Sequence, residues 1–277
     1  MTVSGKKVSV IIPVFNDAKY LNEAIQSVLK QSFQDFEIVI VDDGSSDAFT
    51  KDFLKGLDRP EIHVFFRDKE GVSQTRNYGI SQASGEYILP LDADDLLGKD
   101  FLEQAVKILD GNPSVKVVSG DVKMFGIRKG LKRMPPHSLE MLMGQNTLVV
   151  TSLFRKSDFL QTSGFNPNMK VGFEDWDFWL SLLETGGEVR KVDTVALHYR
   201  IKKNSRNYSL TKEKMQKLRK QIFQNHKELY GRYFFDPQNS FEYDLLLHSR
   251  EYKLGRKLLR PIRFLLKKVR GNQRMKD

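Results

Sequence analysis

The chain has 277 residues, of which 40% are hydrophobic and 29% are charged, and it contains no cysteine. This composition predicts a globular protein with a sizeable core, and it excludes a disulfide framework, a thiolate nucleophile and a cysteine-ligated zinc site. The net charge of +10 is uneven, because residues 200–277 carry 22 lysine and arginine residues against 7 acidic ones and residues 1–199 carry a net charge of −5.

Short apolar runs alternate with amphipathic segments in the first part of the chain. The predicted strands are 8–14, 37–41, 62–66 and 87–91. Apolar residues between 20 and 29 recur at helical spacing, a second helix is predicted after a cap at Ser46 or Asp47, and a third over 73–83. Alternation of strands and helices with short connections predicts a mostly parallel sheet with helices on both faces.

The rest of the chain has a mixed pattern. Strands are predicted at 115–120, 147–154 and 188–199, with a helix over 176–183. From Thr211 onwards the pattern is helical and basic. We therefore expect one α/β domain followed by a helical extension.

Acidic and amide side chains follow the predicted strands at the points where the strands end. Asn16 follows the first strand, Asp42 and Asp43 follow the second, and residues 92–95 follow the fourth. Ligands of parallel α/β sheets bind beyond the carboxyl ends of the strands. The carboxylates in Asp92-Ala93-Asp94-Asp95 suit Mg²⁺ or Mn²⁺, although the same residues could instead form a turn that caps the next helix.

Several motifs occur together in one order along the chain. They are VSVIIPVFN at 8–16, VDDGSSD at 41–47, Arg76-Asn77 with GEY at 85–87, DADD at 92–95, and Glu174-Asp175. Over roughly residues 6–205 this set closely resembles family 2 glycosyltransferases. The resemblance implies a GT-A fold, a Rossmann-like mixed and mostly parallel sheet flanked by helices. The implied domain covers 1–205, with a nucleotide-sugar half at about 1–96 and an acceptor half at about 97–205, before a basic helical extension at 206–277.

The resemblance also implies a role for individual residues. The implied nucleotide-sugar-binding residues are Pro13, Phe15, Asn16, Asp42, Asp43, Arg76, Asp92, Ala93 and Arg200. Asp94 and Asp92 match the DxD motif that binds Mn²⁺ or Mg²⁺, and His198 matches a histidine that completes the metal site. Asp175 matches the general base, with Glu174 beside it.

The implied reaction is the inverting transfer of a hexosyl or N-acetylhexosaminyl group from a nucleotide-diphosphate sugar, such as a UDP-sugar, to a hydroxyl. A sugar hydroxyl is a poor nucleophile and needs a base, and the leaving diphosphate needs a cation. The expected acceptor is a glycan or a lipid-linked molecule of bacterial surface polysaccharide synthesis. A Gln-x-x-Arg-Trp motif is absent, which argues against a processive synthase.

Each assignment has an alternative. Asp42 or Asp43 could stabilise a turn with Gly44, and Arg76 could be a solvated helix residue. Asp175 could be a favourable charge at a helix N-terminus, and the apolar residues 176–180 could be core or an acceptor platform.

At the level of function, the first alternative is a catalytically inactive sugar-nucleotide-binding module. The second is a nucleotidyltransferase, which would want a glycine-rich basic loop after the first strand. Residues 13–20 hold no glycine and one lysine.

The basic end of the chain has an amphipathic pattern. One helical stripe contains Leu258, Leu259, Ile262, Leu265, Leu266 and Val269, and another contains Arg256, Arg260, Arg263, Lys267 and Arg270. This pattern predicts either a helix lying on an anionic membrane surface, kinked at Pro261, or a helix docked on the domain. Few aromatic residues interleave with the charges, so nucleic acid is not an expected partner. No signal peptide or spanning segment is recognised, and the expected location is cytoplasmic, with possible peripheral attachment to the inner membrane face.

Overall fold

The computed structural model describes residues 5–203, 211–234 and 241–273, and for 241–242 and 263–273 it describes the backbone alone. The chain divides into two compact units, Met1–Lys227 and Glu228–Asp277. The proposed division of the chain at residue 205, with its two functional halves, stays a prediction.

The first unit alternates strands and helices. Its strands are β1 (Val8–Val14), β2 (Phe36–Asp43), β3 (Ile62–Arg67), β4 (Tyr87–Pro90), β5 (Leu96–Leu97), β6 (Val115–Gly126), β7 (Gly130–Lys132), β8 (Leu153–Arg155) and β9 (Glu188–Ile201). Its helices are α1 (Ala18–Leu29), α2 (Ala48–Lys55), α3 (Val72–Gln82), α4 (Phe101–Gly111), α5 (Leu139–Gly144), α6 (Lys156–Phe159), α7 (Glu174–Leu183) and α8 (Lys212–Asn225).

All the strands of the first unit lie in one sheet, in the order β3-β2-β1-β4-β8-β6-β9-β5, with β7 paired to β6. The pairs β1–β2, β1–β4, β2–β3 and β6–β9 are parallel. β8 runs antiparallel to both β4 and β6, and β5 runs antiparallel to β9. The carboxyl ends of β1, β2 and β4 therefore meet at one edge of the sheet.

Local sequence explains the first elements. β2 is buried at every position, because helices cover both faces of a parallel sheet. Asp47 caps α2 by accepting a hydrogen bond from the Thr50 amide, one of the two caps predicted. A Cβ at Gly79 would lie 2.7 Å from the Ile11 side chain, so glycine is required where α3 crosses β1.

Several parts of the structure differ from the prediction, and the short elements β5, β7, α5 and α6 were not predicted. α4 was not predicted, although Phe101, Leu102 and Ala105 are buried at helical spacing. The strand predicted over 147–154 is wrong for most of its length, since only Leu153–Arg155 is strand. Within the predicted span, Ser152 donates hydrogen bonds to the Val149 and Val150 carbonyls, so the backbone turns back on itself instead of pairing with a neighbour.

The C-terminal segment is helical where it is described, as predicted. It contains α9 (Lys227–Tyr233), α10 (Phe241–His248) and α11 (Arg250–Gln273), and Pro261 lies inside α11. Leu258 and Ile262 are more than half exposed. The side chains of the predicted stripes beyond residue 262 lie outside the described residues. Within the parts of the chain that the structure describes, no helix is long and apolar enough to cross a membrane.

Candidate active site

The loops after β1 and β2 are held together by one amide side chain. Asn16 adopts the left-handed backbone conformation, with φ of 52°. Its side-chain oxygen accepts hydrogen bonds from the Ser46 and Asp47 amides at 2.8 and 3.2 Å. Asn16 thereby fixes the predicted nucleotide loop against the acidic loop of β2.

The ring of Phe15 lies at the same edge and is 38% exposed. The Lys69 ammonium lies 3.7 Å from the centre of that ring. Pro13, which was also assigned to the nucleotide-binding loop, is a partly buried β1 residue that pairs with Val41 of β2. An exposed aromatic face beside a cation is suited to an aromatic, anionic ligand such as a nucleotide.

Asp42 and Asp43 are both buried and both stabilise loops. Asp42 accepts hydrogen bonds from the Ser45 amide, and Asp43 accepts them from the Glu70 and Gly71 amides at 2.8 and 3.0 Å. The turn-forming alternative therefore describes part of what each carboxylate does. Because a carboxylate has several acceptor positions, a contact with a nucleobase stays a prediction for either one.

The motif of residues 92–95 lies between β4 and β5 and places its carboxylates in different surroundings. Asp92 accepts a hydrogen bond from Arg76 Nη2 at 2.7 Å, and Asp95 accepts one from the Arg200 amide at 2.7 Å. Burial, reinforced by the Asp92 charge, raises the pKa of Asp94 above its ordinary value. Ala93, which lies between Asp92 and Asp94 in the sequence, is buried. The motif therefore contains a structural carboxylate, Asp95, and two carboxylates that are partly exposed.

Arg76 is 2% exposed and connects two motifs that lie far apart in the sequence. Its Nη1 donates to Glu174 Oε1 at 2.9 Å, and its Nη2 donates to Asp92 Oδ1 at 2.7 Å. The two carboxylates raise the pKa of Arg76, although burial acts in the opposite direction. The arginine is a buried helix residue and not a solvated one. Its predicted contact with the nucleotide stays a prediction.

Arg200 and Lys202 bring two further cations to residues 92–95. Arg200 Nε donates to the Asp94 carbonyl at 2.7 Å, and its guanidinium contacts Glu23 at 3.0 Å. Lys202 Nζ lies 2.7 Å from both Asp94 Oδ2 and Asp17 Oδ2. The negative charge of the motif is thus balanced by three basic side chains, counting Arg76.

Asp175 lies in the first turn of α7, next to Glu174, and is partly exposed. Its Oδ2 accepts a hydrogen bond from Asn146 Nδ2 at 3.0 Å, and its Oδ1 accepts one from the Trp176 amide at 2.8 Å. Burial, followed by the Glu174 charge, raises the pKa of Asp175 to about 6. Arg76 acts in the opposite direction. A carboxylate with this pKa is well matched to proton abstraction near neutral pH.

The apolar residues that follow Asp175 belong to the core. The side chains of Trp176, Phe178, Trp179 and Leu180 are at most 3% exposed. Trp176 Nε1 also donates to the Leu142 carbonyl, which joins α7 to α5. The core alternative is therefore observed for these residues. Asn146 and Asp175, by contrast, are partly exposed.

His198 lies in β9, where its backbone pairs with Leu96 of β5. Burial and the Lys123 charge lower its pKa. Among the described residues, no group of three histidine, aspartate or glutamate side chains is arranged to hold a metal ion. The role of His198 as a metal ligand stays a prediction.

Lys69, Lys202 and Asn146 are residues of this site that were not predicted. Lys202 lies two positions beyond Arg200, directly after β9, and a basic residue at a strand end next to a predicted site residue was a usable signal. Asn146 had no comparable signal, because it lies in an irregular segment whose contact with Asp175 spans 29 residues.

Comparisons with known proteins bear on the family and the fold. A family model described as Glycosyl transferase family 2 matches residues 9–172. The putative teichuronic acid biosynthesis glycosyltransferase TuaG of Bacillus subtilis is 30% identical over 204 residues, which are 72% of this chain and 80% of that protein. An uncharacterized glycosyltransferase of Rickettsia felis is 44% identical over 108 residues, 38% of this chain. The chain spans only 18–21% of the length of several curated relatives that it matches.

Among solved structures, the chain is similar to Staphylococcus aureus TarS residues 1–349 in complex with UDP-GlcNAc. The TM-score is 0.62 at 22% sequence identity, and the alignment covers 89% of this chain and 77% of that one. At this identity the likeness establishes the fold alone. It confirms the predicted fold class, a mostly parallel GT-A sheet flanked by helices.

Proposed function

Because the chain belongs to glycosyl transferase family 2, we propose that it transfers a sugar from a nucleotide-diphosphate donor to a hydroxyl of a glycan or lipid-linked acceptor, with inversion at the anomeric carbon. The observation that carries the proposal is that Arg76 joins the Asp92 carboxylate to the Glu174 carboxylate. Asp92 lies on the donor side and the Glu174-Asp175 pair on the acceptor side, and one buried guanidinium binds both.

Asp175 is the proposed general base. Its carboxylate is held by Asn146 and by the Trp176 amide, and its pKa is raised to about 6. At neutral pH it is therefore ionised and yet basic enough to accept a proton from an attacking hydroxyl. In-line attack from the face opposite the leaving diphosphate inverts the anomeric carbon, so the reaction needs no enzyme nucleophile.

The loops at the carboxyl edge are the proposed donor site. Phe15 and Lys69 offer an aromatic face and a cation, and the loop of Asn16 is fixed beside the buried carboxylates of Asp42 and Asp43. The TarS complex holds UDP-GlcNAc, which supports a UDP-sugar as the donor here. The printed name of TuaG refers to teichuronic acid biosynthesis, which supports an acceptor in cell-wall polysaccharide synthesis.

The residues around Asp94 fit a divalent cation. Mg²⁺ and Mn²⁺ take one or two protein carboxylates and complete their shell with substrate phosphates and water, so a site with three protein ligands is not required. Asp94 carries a raised pKa and already holds one cation, the Lys202 ammonium. Asp94 and Asp92 would hold the metal ion, which when bound neutralises charge on the leaving diphosphate. Arg200 fixes the backbone that orients Asp94.

The proposal is tested by incubating the full chain with a panel of nucleotide sugars and Mn²⁺ and measuring release of the nucleoside diphosphate. We expect hydrolysis or transfer with one nucleotide class, and a UDP-sugar is the first candidate. Binding of a nucleotide sugar without any turnover, in the presence of acceptor glycans, would instead favour the inactive binding module.

Metal dependence gives the first specific prediction. EDTA is expected to abolish transfer by the wild-type chain, and added Mn²⁺ or Mg²⁺ to restore it. Asp94→Ala should weaken donor binding and turnover together, because the carboxylate that anchors the cation is gone. Asp52→Ala removes an exposed carboxylate of α2 and should leave both unchanged. Full activity of Asp94→Ala in EDTA would contradict the metal assignment.

Attachment to an anionic membrane surface is proposed for α11. The segment 250–277 carries 11 basic and 2 acidic residues, and Leu254, Leu258 and Ile262 are exposed. Each lysine or arginine near such a surface contributes on the order of 1 kcal/mol, and aliphatic side chains add burial. We expect the full chain to sediment with anionic liposomes at low salt and a chain ending at Ser249 to remain in the supernatant.

A matched pair of variants distinguishes binding through this surface of α11 from nonspecific adsorption of the protein to lipid. Replacing Leu258 and Ile262 by glutamine should reduce sedimentation with the liposomes. Replacing Leu160, which is 69% exposed in the first unit, by glutamine should not. If the full chain and the shortened chain both stay in the supernatant, α11 is not a membrane anchor.

A further inference from the structure

Three cations surround Asp92 and Asp94, and they differ in how firmly they are held. The side chains of Arg76, Arg200 and Lys202 are 2%, 12% and 28% exposed. Arg76 binds two carboxylates from within the core, and Arg200 binds the Asp94 carbonyl with its guanidinium over Tyr20 and Phe125. Lys202 follows the last residue of β9 and is the most accessible of the three.

The ammonium of Lys202 contacts Asp94, the carboxylate that is proposed to hold the metal ion. Its Nζ lies 2.7 Å from Asp94 Oδ2 and 2.7 Å from Asp17 Oδ2. The ammonium thus bridges two carboxylates that lie far apart in the sequence. A divalent cation placed at Asp94 Oδ2 would be repelled by the ammonium that contacts the same oxygen.

We propose that Lys202 is the counter-cation of Asp94 in the donor-free protein, and that a divalent cation binds Asp94 only by displacing the Lys202 ammonium. The inference rests on the proposed metal-assisted transfer and adds a residue and an order of events to it. Without donor, Lys202 opposes metal binding. A nucleoside diphosphate brings oxygen ligands for the metal and negative charge for the released ammonium, so metal and nucleotide bind as a pair.

The test measures the binding of Mn²⁺ alone to the full chain, from the electron paramagnetic resonance signal of free Mn²⁺. The wild type is expected to bind weakly. Lys202→Met should bind Mn²⁺ about tenfold more tightly, since a hydrogen-bonded ion pair is worth roughly that factor in an equilibrium constant. Lys202→Arg keeps the positive charge and should remain weak. Lys203→Met removes an exposed lysine one residue away and should match the wild type.

A second measurement tests the order of events. Addition of UDP should increase Mn²⁺ affinity strongly in the wild type and much less in Lys202→Met, because the methionine variant has no ammonium to displace. The Asp94→Asn change, introduced into Lys202→Met, should remove the gain in Mn²⁺ affinity. If Lys202→Met proves unstable, Lys202→Gln repeats the comparison with a polar side chain.

The inference is overturned if Lys202→Met and Lys202→Gln bind Mn²⁺ no more tightly than the wild type, or if the gain persists without the Asp94 carboxylate. Sugar transfer by the wild type is measured separately with and without Mn²⁺. Metal-dependent transfer together with an unchanged affinity in the Lys202 variants would reject the role of Lys202 and leave the proposed function standing. Absence of transfer with every donor would reject the proposed function itself.

Discussion

The Asp175→Asn variant is expected to lose sugar transfer by a factor of about 10² to 10⁴, which is the range that general base catalysis contributes. Asparagine has nearly the same shape and can keep a hydrogen bond with Asn146, but it cannot accept the proton of the attacking hydroxyl. Donor binding should remain, because the change lies on the acceptor side. The measurement is the transfer rate at saturating donor, together with the dissociation constant of the donor.

The pH dependence supplies an independent readout. A base works only when it is deprotonated, and the pKa of Asp175 is raised to about 6. The transfer rate of the wild type should therefore fall as the pH drops through about 6. The residual transfer rate of Asp175→Asn should not show this decrease. Wild-type rates in Asp175→Asn would mean that another group takes the proton, and Glu174→Gln would then be tested first.

Stability provides the control for this variant. A carboxyl group whose pKa is higher in the folded than in the unfolded protein binds its proton more tightly when folded, so its ionised form destabilises the fold at neutral pH. Asparagine removes that charge. The variant should therefore unfold at the same temperature as the wild type or a higher one. A loss of activity that accompanied a large drop in unfolding temperature would not be attributable to the missing base.

The largest expected effect on stability follows from Arg76→Met. The guanidinium is buried and binds Asp92 and Glu174, so its removal leaves two carboxylates without their partner. Removing one member of a buried ion pair typically lowers the free energy of unfolding by about 3–5 kcal/mol. Transfer should be lost as well, because the guanidinium positions both sides of the site. Urea unfolding of the full chain measures the change.

A double variant makes this prediction specific. In Arg76→Met with Glu174→Gln, one unpaired negative charge is removed, so part of the lost stability should return and the two changes should not be additive. Arg190→Met is the matched control, because the Arg190–Glu188 pair is exposed and such pairs contribute about 0–1 kcal/mol. Equal effects of Arg76→Met and Arg190→Met would contradict the bridging role of Arg76.

The first four strands and the helices between them were predicted closely because their signals are local. Buried parallel strands appear as continuous apolar runs, and the cap at Asp47 lies three residues from the amide that it binds. The prediction of a strand over 147–154 was wrong, because a β-branched apolar stretch indicates burial without indicating a pairing partner. In this fold that stretch is buried as an irregular segment.

The sequence by itself determined which chemical groups are present and that several of them follow strand ends. Through their resemblance to family 2 glycosyltransferases, the motifs at residues 8–16, 41–47, 92–95 and 174–175 imply a nucleotide-sugar site. The residues that follow β1, β2 and β4 could be expected to lie together, because the carboxyl ends of parallel strands meet at one edge of a sheet, whatever the length of chain between them.

Only the tertiary structure decided what each charged group does. Arg76 and Glu174 are 98 residues apart in the chain but in contact, and Lys202 reaches Asp94 from the end of another strand. Asp175 acquires a pKa of about 6 from burial and from its neighbour Glu174. Charge interactions and desolvation depend on distance in space and on exposure to water, and residue spacing specifies neither.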